Sequence, residues 1–244
     1  MKPGIDVYLS HDEVATEDDS GAMWRYAGPS LEAQLDALVE RLRQTAPRAR
    51  VRVWLSGAFC RAVLVPPVVG ARSRAERRQL AEMLASKDSG LTSPCRVAIS
   101  PGSGAAAAAV AVVVAEDVLA TLQRRLGEAR IRAVSIRPWF DQALAVALRA
   151  NEGLQAFAVW EGRALTILMG DAHGFSVART IYPVEAVEAA TAAVARAQVS
   201  ALVAPDGAQA IRLDWTPRAR DAANPSRWAA VAFASCVLPL GSGS

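Results

Sequence analysis

The chain is poor in the side chains from which most dedicated sites are built. Of its 244 residues only Lys2 and Lys87 are lysines and only His11 and His173 are histidines. Its three cysteines, Cys60, Cys95 and Cys236, stand far apart with no C-x-x-C pair. Metal centres and disulfide scaffolds need ligands or partners at recurring spacings, so this usage argues against both and for a reducing compartment. Aromatics make up 6% of the chain and are not gathered with basic residues, so no nucleic-acid partner is expected. The longest basic cluster, 72–78, opens a helix and reads as a solvated helix start. The formal charge is only +3 although the pI is about 9.0. The first residues, Met1 to Asp6, lack the apolar core of a signal peptide, so the ordered part is expected in the cytoplasm. No apolar run reaches the ~20 residues of a membrane span. The longest, 228–240, is interrupted by Ser235 and Pro239.

What the chain does have is apolar material in ordered patterns. Hydrophobic residues make up 52% of it and the mean hydropathy is +0.18, enough for one large domain or two small ones with real cores. Residues 154–182 contain three β-type runs, 155–160, 164–169 and 175–182, separated by Glu161-Gly162-Arg163 and by Gly170-Asp171-Ala172-His173-Gly174. Short separators rich in Gly and Asp are hairpin connections, so the stretch predicts a three-stranded antiparallel meander. An Ala-rich amphipathic helix is expected over 184–196 and a strand over 199–204, with one more strand at 210–215. The opening of the chain repeats this order. Strands are expected at 4–10 and 22–27, with a weaker one near 13–16, then a helix over 31–45 capped by Ser30, then a strand at 51–56. The block between the copies reads strand (60–66), helix (73–87), two hairpin strands (96–100, 106–114), helix (116–129), strand (131–136). That order is the ferredoxin-like split βαβ arrangement. A helix over 139–149 leads into the second copy.

With this order in place, the chain resembles the cytoplasmic actin-like proteins of pilus and secretion machinery: PilM of type IV pili and the cytoplasmic part of GspL in type II secretion. The residues that carry the resemblance are Gly4-Ile5-Asp6, Leu55-Ser56-Gly57 before a strand ending in proline, and 159–181 with Gly162 and Arg179-Thr180-Ile181. The resemblance implies an α/β chain of duplicated actin-like (RNase H-like) halves with an inserted ferredoxin-like subdomain, as in the cell-division protein FtsA. The halves are expected at 1–57 and 137–215, the insertion at 58–136, and a basic linker with an apolar segment at 216–244.

Nucleotide-binding members of that fold hold phosphate with an Asp and Gly pair in the first hairpin of each half. Here Asp6 is followed by Val7, Tyr8 and Leu9, the turn at Gly162 lacks its Asp, and Pro205-Asp206-Gly207 stands where a Gly-Gly adenosine loop is expected. Without glycine the backbone cannot close on a phosphate. Asp6, Gly162 and Gly207 are therefore degenerate positions: the fold is expected to have lost ATP or to bind it weakly, and no cofactor, metal or catalysis is expected. The resemblance implies a scaffold that recruits the assembly ATPase and couples it to inner-membrane platform proteins, with a homodimer left open. The alternative is an active ATPase or kinase using Asp6 as its metal-side carboxylate, and an unrelated α/β regulator remains a third reading.

Partner contacts are expected at Arg137 and Trp139, where an exposed Arg and Trp pair suits an interface anchor, although the core reading of Trp139 is preferred. Arg218, Arg220, Arg227 and Trp228 are expected to serve similarly, at the inner-membrane face. A basic linker, a Trp and an apolar run are how a span begins, and a packed C-terminal helix is the competing reading. Three further stretches read as ordinary turns: Pro101–Ala105 lacks the Lys of a P-loop, His11-Asp12-Glu13 has no second His or Cys at ligand spacing, and Gly170–Gly174 with Ser176 lacks a base within reach.

Overall fold

The computed structural model describes residues 5–17, 23–46, 50–68, 70–71, 73–100, 108–150, 156–161, 163–171, 174–186, 189–190, 192–194, 196–197 and 210–214. The chain opens with β1 (Ile5–Leu9), β2 (Glu13–Glu17) and β3 (Met23–Ala27), an antiparallel meander. The β1–β2 turn is set by Ser10. Its amide donates to the Glu13 carbonyl at 2.8 Å, and its Oγ accepts from the amides of Asp12 and Glu13 at 3.3 and 3.0 Å. Helix α1 (Leu31–Thr45) starts where Ser30 Oγ accepts from the Ala33 amide, and it buries Leu35, Leu38, Val39 and Leu42, one apolar stripe at helical spacing. The helix is the crossover that brings β4 (Arg50–Leu55) back parallel to β1, Ile5 opposite Val51 and Leu9 opposite Leu55.

The second half repeats the plan. β9 (Ala156–Glu161), β10 (Ala164–Asp171) and β11 (Gly174–Ile181) form a meander, and β12 (Ala210–Asp214) lies parallel to β9. Two expectations change here. The place beside β9 belongs to 210–214, while the strand expected at 199–204 falls outside the described residues. The helix expected from 184 is helical at 189–190, 192–194 and 196–197, but 182–186 is not. The Val184 amide donates to the Arg163 carbonyl at 2.7 Å, so the chain is still tied to the β9–β10 turn at that point.

The middle block supplies β5 (Cys60–Val65), α2 (Arg74–Asp88), β6 (Cys95–Ile99), β7 (Ala109–Ala115), α3 (Glu116–Glu128), β8 (Arg132–Pro138) and α4 (Trp139–Ala150). Its first three strands lie in the order β5-β7-β6, as in a split βαβ unit, with α2 packed over Val63, Val65, Ala111 and Val113. The last strand does not close that unit. β8 pairs parallel with β4, giving a five-stranded sheet in the order β3-β2-β1-β4-β8. The free edge of β4 is parallel-pairing surface, and α3, packed against α1 through Arg124–Glu32 and Arg125–Asp36 ion pairs, carries the chain to it. β5 instead lies antiparallel to β11, so the second sheet has seven strands, β12-β9-β10-β11-β5-β7-β6.

The two sheets share one core. Val7, Leu9, Val53 and Leu55 from the first half belong to the same buried cluster as Phe157, Val159, Leu168 and Ala178 from the second. Among the described residues no helix is long and apolar enough to cross a membrane.

Candidate functional site

The two meanders point their first turns at one another, and the chain crosses between the sheets through Ser56, Gly57, Ala58 and Phe59. On β1, side-chain alternation sends Val7 and Leu9 into the main core and Tyr8 to the opposite face, where it is 2% exposed. The Tyr8 ring meets Trp139 edge-on at 5.6 Å, and Trp139 meets Trp54 at 6.2 Å. The Tyr8 hydroxyl then reaches the second half, donating to Oε2 of Glu161 at 3.1 Å. Glu161 is the last residue of β9 and only 3% exposed. Its Oε1 accepts from the Gly57 amide at 3.3 Å. One carboxyl thus joins a strand of the first half, the crossing segment and a strand of the second half.

The crossing is tight for a stated reason. A Cβ on Gly57 would lie 3.0 Å from Ala164 Cβ, 3.1 Å from Thr180 Cγ2 and 3.2 Å from Thr166 Oγ1, so glycine lets the segment lie flat on β10 and β11. The two threonines bond to each other at 2.9 Å, and the Ala62 amide donates to Thr180 Oγ1 at 2.9 Å. The Arg61 guanidinium donates to the Gly57 carbonyl and lies over the Tyr182 ring, 5.0 Å from its centre. Cys60 Sγ donates to the Leu55 and Ser56 carbonyls at 3.3 Å each, and burial pushes its thiol well up, which makes it a structural cysteine and not a nucleophile.

Burial also governs the charges. It pushes the Glu161 carboxyl up to about 8, against the hydrogen bonds from Tyr8 and Gly57, which favour the ionised form. It pushes the Tyr8 hydroxyl up as well, with the neighbouring Glu161 adding to the effect. Glu13 is raised by burial and by Asp12, while Arg25 pulls it the other way.

Beside this bridge lies a cavity of about 110 Å³, lined among others by His11, Asp12, Glu13, Glu161, Arg163 and Tyr182. Small-molecule pockets usually run to about 300–1,000 Å³. Three carboxyl groups face this cavity, and its one arginine is engaged by Glu185 at 2.6 Å. A phosphate needs free backbone N–H groups. The Asp12 and Glu13 amides are taken by Ser10 Oγ and the Gly57 amide by Glu161, so these three offer nothing to an anion.

The sequence-predicted positions distribute as follows. Asp6 does not line the cavity. It is 6% exposed and holds Arg52 bidentately, Nε to Oδ1 and Nη2 to Oδ2 both at 2.6 Å, and accepts from Trp54 Nε1 at 3.2 Å. Both its oxygens are therefore used inside the sheet. Arg137 is exposed on the edge strand β8. Trp139 is 1% exposed and fills the space between Tyr8 and Trp54, so the exposed-anchor reading of this residue is corrected to a core role. Gly162, Gly207, Arg218, Arg220, Arg227 and Trp228 lie outside the described residues, as does 101–105. His11-Asp12-Glu13 forms the turn beside the cavity, and among the described residues no group of three or more His, Cys, Asp or Glu could hold a metal. Ser176 donates to the Met169 carbonyl at 3.4 Å. Tyr8, Gly57 and Glu161 were legible only in part. Leu55-Ser56-Gly57 carries one of them, whereas Glu161 reads as part of a hairpin connection, and the one signal against that is the apolar run it terminates.

Two copies of a meander, a crossover and a fourth parallel strand, set turn to turn, define an actin-like fold. Solved structures agree. The cytoplasmic domain of EpsL, an inner membrane component of the type II secretion system of Vibrio cholerae, matches with a TM-score of 0.53 at 16% identity, over 88% of this chain and 83% of its own. A protein of Bacteroides thetaiotaomicron with an actin-like ATPase fold and unknown function matches with a TM-score of 0.55 at 10% identity, over 88% and 82%. A chain of the PilM–PilN type IV pilus biogenesis complex matches with a TM-score of 0.52 at 14% identity, over 82% and 68%. The chain is thus similar in fold to the actin-like proteins of secretion and pilus platforms. No family profile matches the sequence, and no curated protein does.

Proposed function

We propose that the chain is a non-catalytic cytoplasmic scaffold of a type II secretion or type IV pilus-like assembly platform. It recruits the assembly ATPase and couples it to inner-membrane components. The observation that carries the reading is the Tyr8–Glu161–Gly57 bridge: the first strand of each half and the crossing segment are tied together through a buried carboxyl in the place where this fold grips a triphosphate. The fold likeness to the EpsL cytoplasmic domain and to the PilM–PilN complex supports the setting. The exposed edge strand β8, with Arg137, is a docking surface consistent with it.

Two assays test the reading together. Calorimetry with magnesium ATP is expected to give no heat of binding below the millimolar range, and co-purification from the source cell is expected to recover an assembly ATPase. Micromolar nucleotide binding, or turnover of ATP by the isolated chain, would contradict it.

A further inference from the structure

The carboxyl groups around the cavity meet little positive charge. Glu161 is 3% exposed, and its donors, the Tyr8 hydroxyl at 3.1 Å and the Gly57 amide at 3.3 Å, are both neutral. They occupy two of the four lone-pair sites that an ionised carboxylate offers. Among the described residues, the one ion pair that Asp12, Glu13 and Glu161 make is Glu13 with Arg25, at 3.9 Å. The arginines nearby are committed elsewhere, Arg163 to Glu185 at 2.6 Å and Arg61 to the Gly57 carbonyl and the Tyr182 ring. A buried acid without a counter-charge keeps its proton to high pH, and burial holds the Glu161 carboxyl up to about 8.

The layout of the acceptors selects the kind of cation that answers this charge. Among the described residues no three acidic or imidazole groups converge as ligands of one ion, so a point charge does not suit them. A guanidinium is flat and turns five N–H groups outward in one plane, so it reaches acceptors that stand apart. Ser56 and Tyr182 line the same cavity and carry hydroxyl acceptors. The cavity of about 110 Å³ compares with one of about 150 Å³ that holds benzene, which suits the four heavy atoms of a guanidinium and a short alkyl stem.

We infer that this cavity receives a single guanidinium group, with Glu161 as its buried anchor and Asp12 and Glu13 holding its outer N–H groups. The group enters either on a free guanidino compound or at the end of an arginine of a protein partner, and the recognition is the same. It bonds to Glu161 from the cavity side and leaves Tyr8 and Gly57 in place, so the two halves do not move. The scaffold reading assigns this cavity no ligand and is independent of the site.

NMR of the full chain at about pH 9, where Glu161 is ionised and ethylguanidinium stays protonated, tests the site through the methyl signal of Ala58, which lines the cavity. Ethylguanidinium is expected to shift that signal saturably with a Kd on the order of 1 mM. Ethylurea, of the same shape without the charge, is expected to bind at least about tenfold more weakly, and Glu161→Gln to weaken ethylguanidinium by a similar factor. Asp12→Asn, at the exposed turn, is expected to weaken it about threefold. Acetyl-arginine methylamide separates the two sources: binding as tight as ethylguanidinium or tighter assigns the site to a partner's arginine, and weaker binding assigns it to a free guanidino compound. No saturable shift with either cation, equal binding of ethylurea, or a Glu161→Gln chain that binds like the parent would each overturn the site. Should Glu161→Gln fail to fold, the ethylurea comparison and Asp12→Asn decide in its place. Nucleotide binding is read separately by calorimetry, so failure of the guanidinium site leaves the scaffold reading standing, and failure of that reading leaves the site.

Discussion

The first and second halves place four corresponding strands in the same order, yet each treats its buried carboxylate differently. Asp6 on β1 faces Arg52 on the neighbouring parallel strand and is neutralised within its own sheet by two hydrogen bonds of 2.6 Å. Glu161 on β9 reaches out of its sheet to Tyr8 and Gly57, neither of which is a cation. The first arrangement stabilises one half by itself. The second has meaning only when both halves are present, because each hydrogen bond crosses the junction. The difference teaches how placement sets the role of a buried carboxyl: one is held within its own sheet, and the other is the contact between halves.

That comparison breaks first at Glu161. Its folded carboxyl holds a proton up to about 8, against about 4.5 for the unfolded chain, so the stability it contributes is full below about 4.5 and is lost as pH rises through 8. The total is on the order of 5 kcal/mol between those limits. Urea midpoints should therefore fall from about pH 5 to about pH 8.5 in the parent, and Glu161→Gln should flatten that slope. The raised Glu13 adds a smaller slope of the same sign.

A second way to sharpen the contrast is Gly57→Ala. The new methyl meets Ala164, Thr180 and Thr166 at 3.0–3.2 Å and pushes the halves apart, at about 1–3 kcal/mol. Thermal melts should show the loss, and a shift under ~0.5 kcal/mol would mean the junction is softer than the contacts imply.

The smaller effect belongs to the first half. Arg52→Ala leaves Asp6 buried with Trp54 as its remaining side-chain donor. Removing one member of a buried pair costs about 3–5 kcal/mol, but Arg52 is 41% exposed and solvent screens it, so about 1–2 kcal/mol is expected by denaturant unfolding.

How much of this could be read beforehand follows from what each signal depends on. The meanders were legible because their separators are local: Glu161-Gly162-Arg163 and the Ser10 to Glu13 turn bound runs of alternating residues. The order of elements in the middle block was legible too, but the sheet that β8 joins was not, because the edge of β5 that a closed split βαβ unit would offer it is taken by β11, far along the chain. Asp6 and Gly57 were singled out from the resemblance, yet the partner of Asp6, Arg52, lies 46 positions away and is brought opposite by the α1 crossover. The burial of Glu161 was not legible for the same reason. Its burial comes from Tyr8, 153 positions distant, and no local pattern records that contact.

The measurement that bears most directly on this account is a crystal of the full chain soaked with magnesium and a non-hydrolysable ATP analogue. The account predicts a cleft without nucleotide, with Glu161 still against Tyr8 and Gly57. Nucleotide density between the halves, with the Glu161 carboxyl displaced from Tyr8 and Gly57, would contradict it.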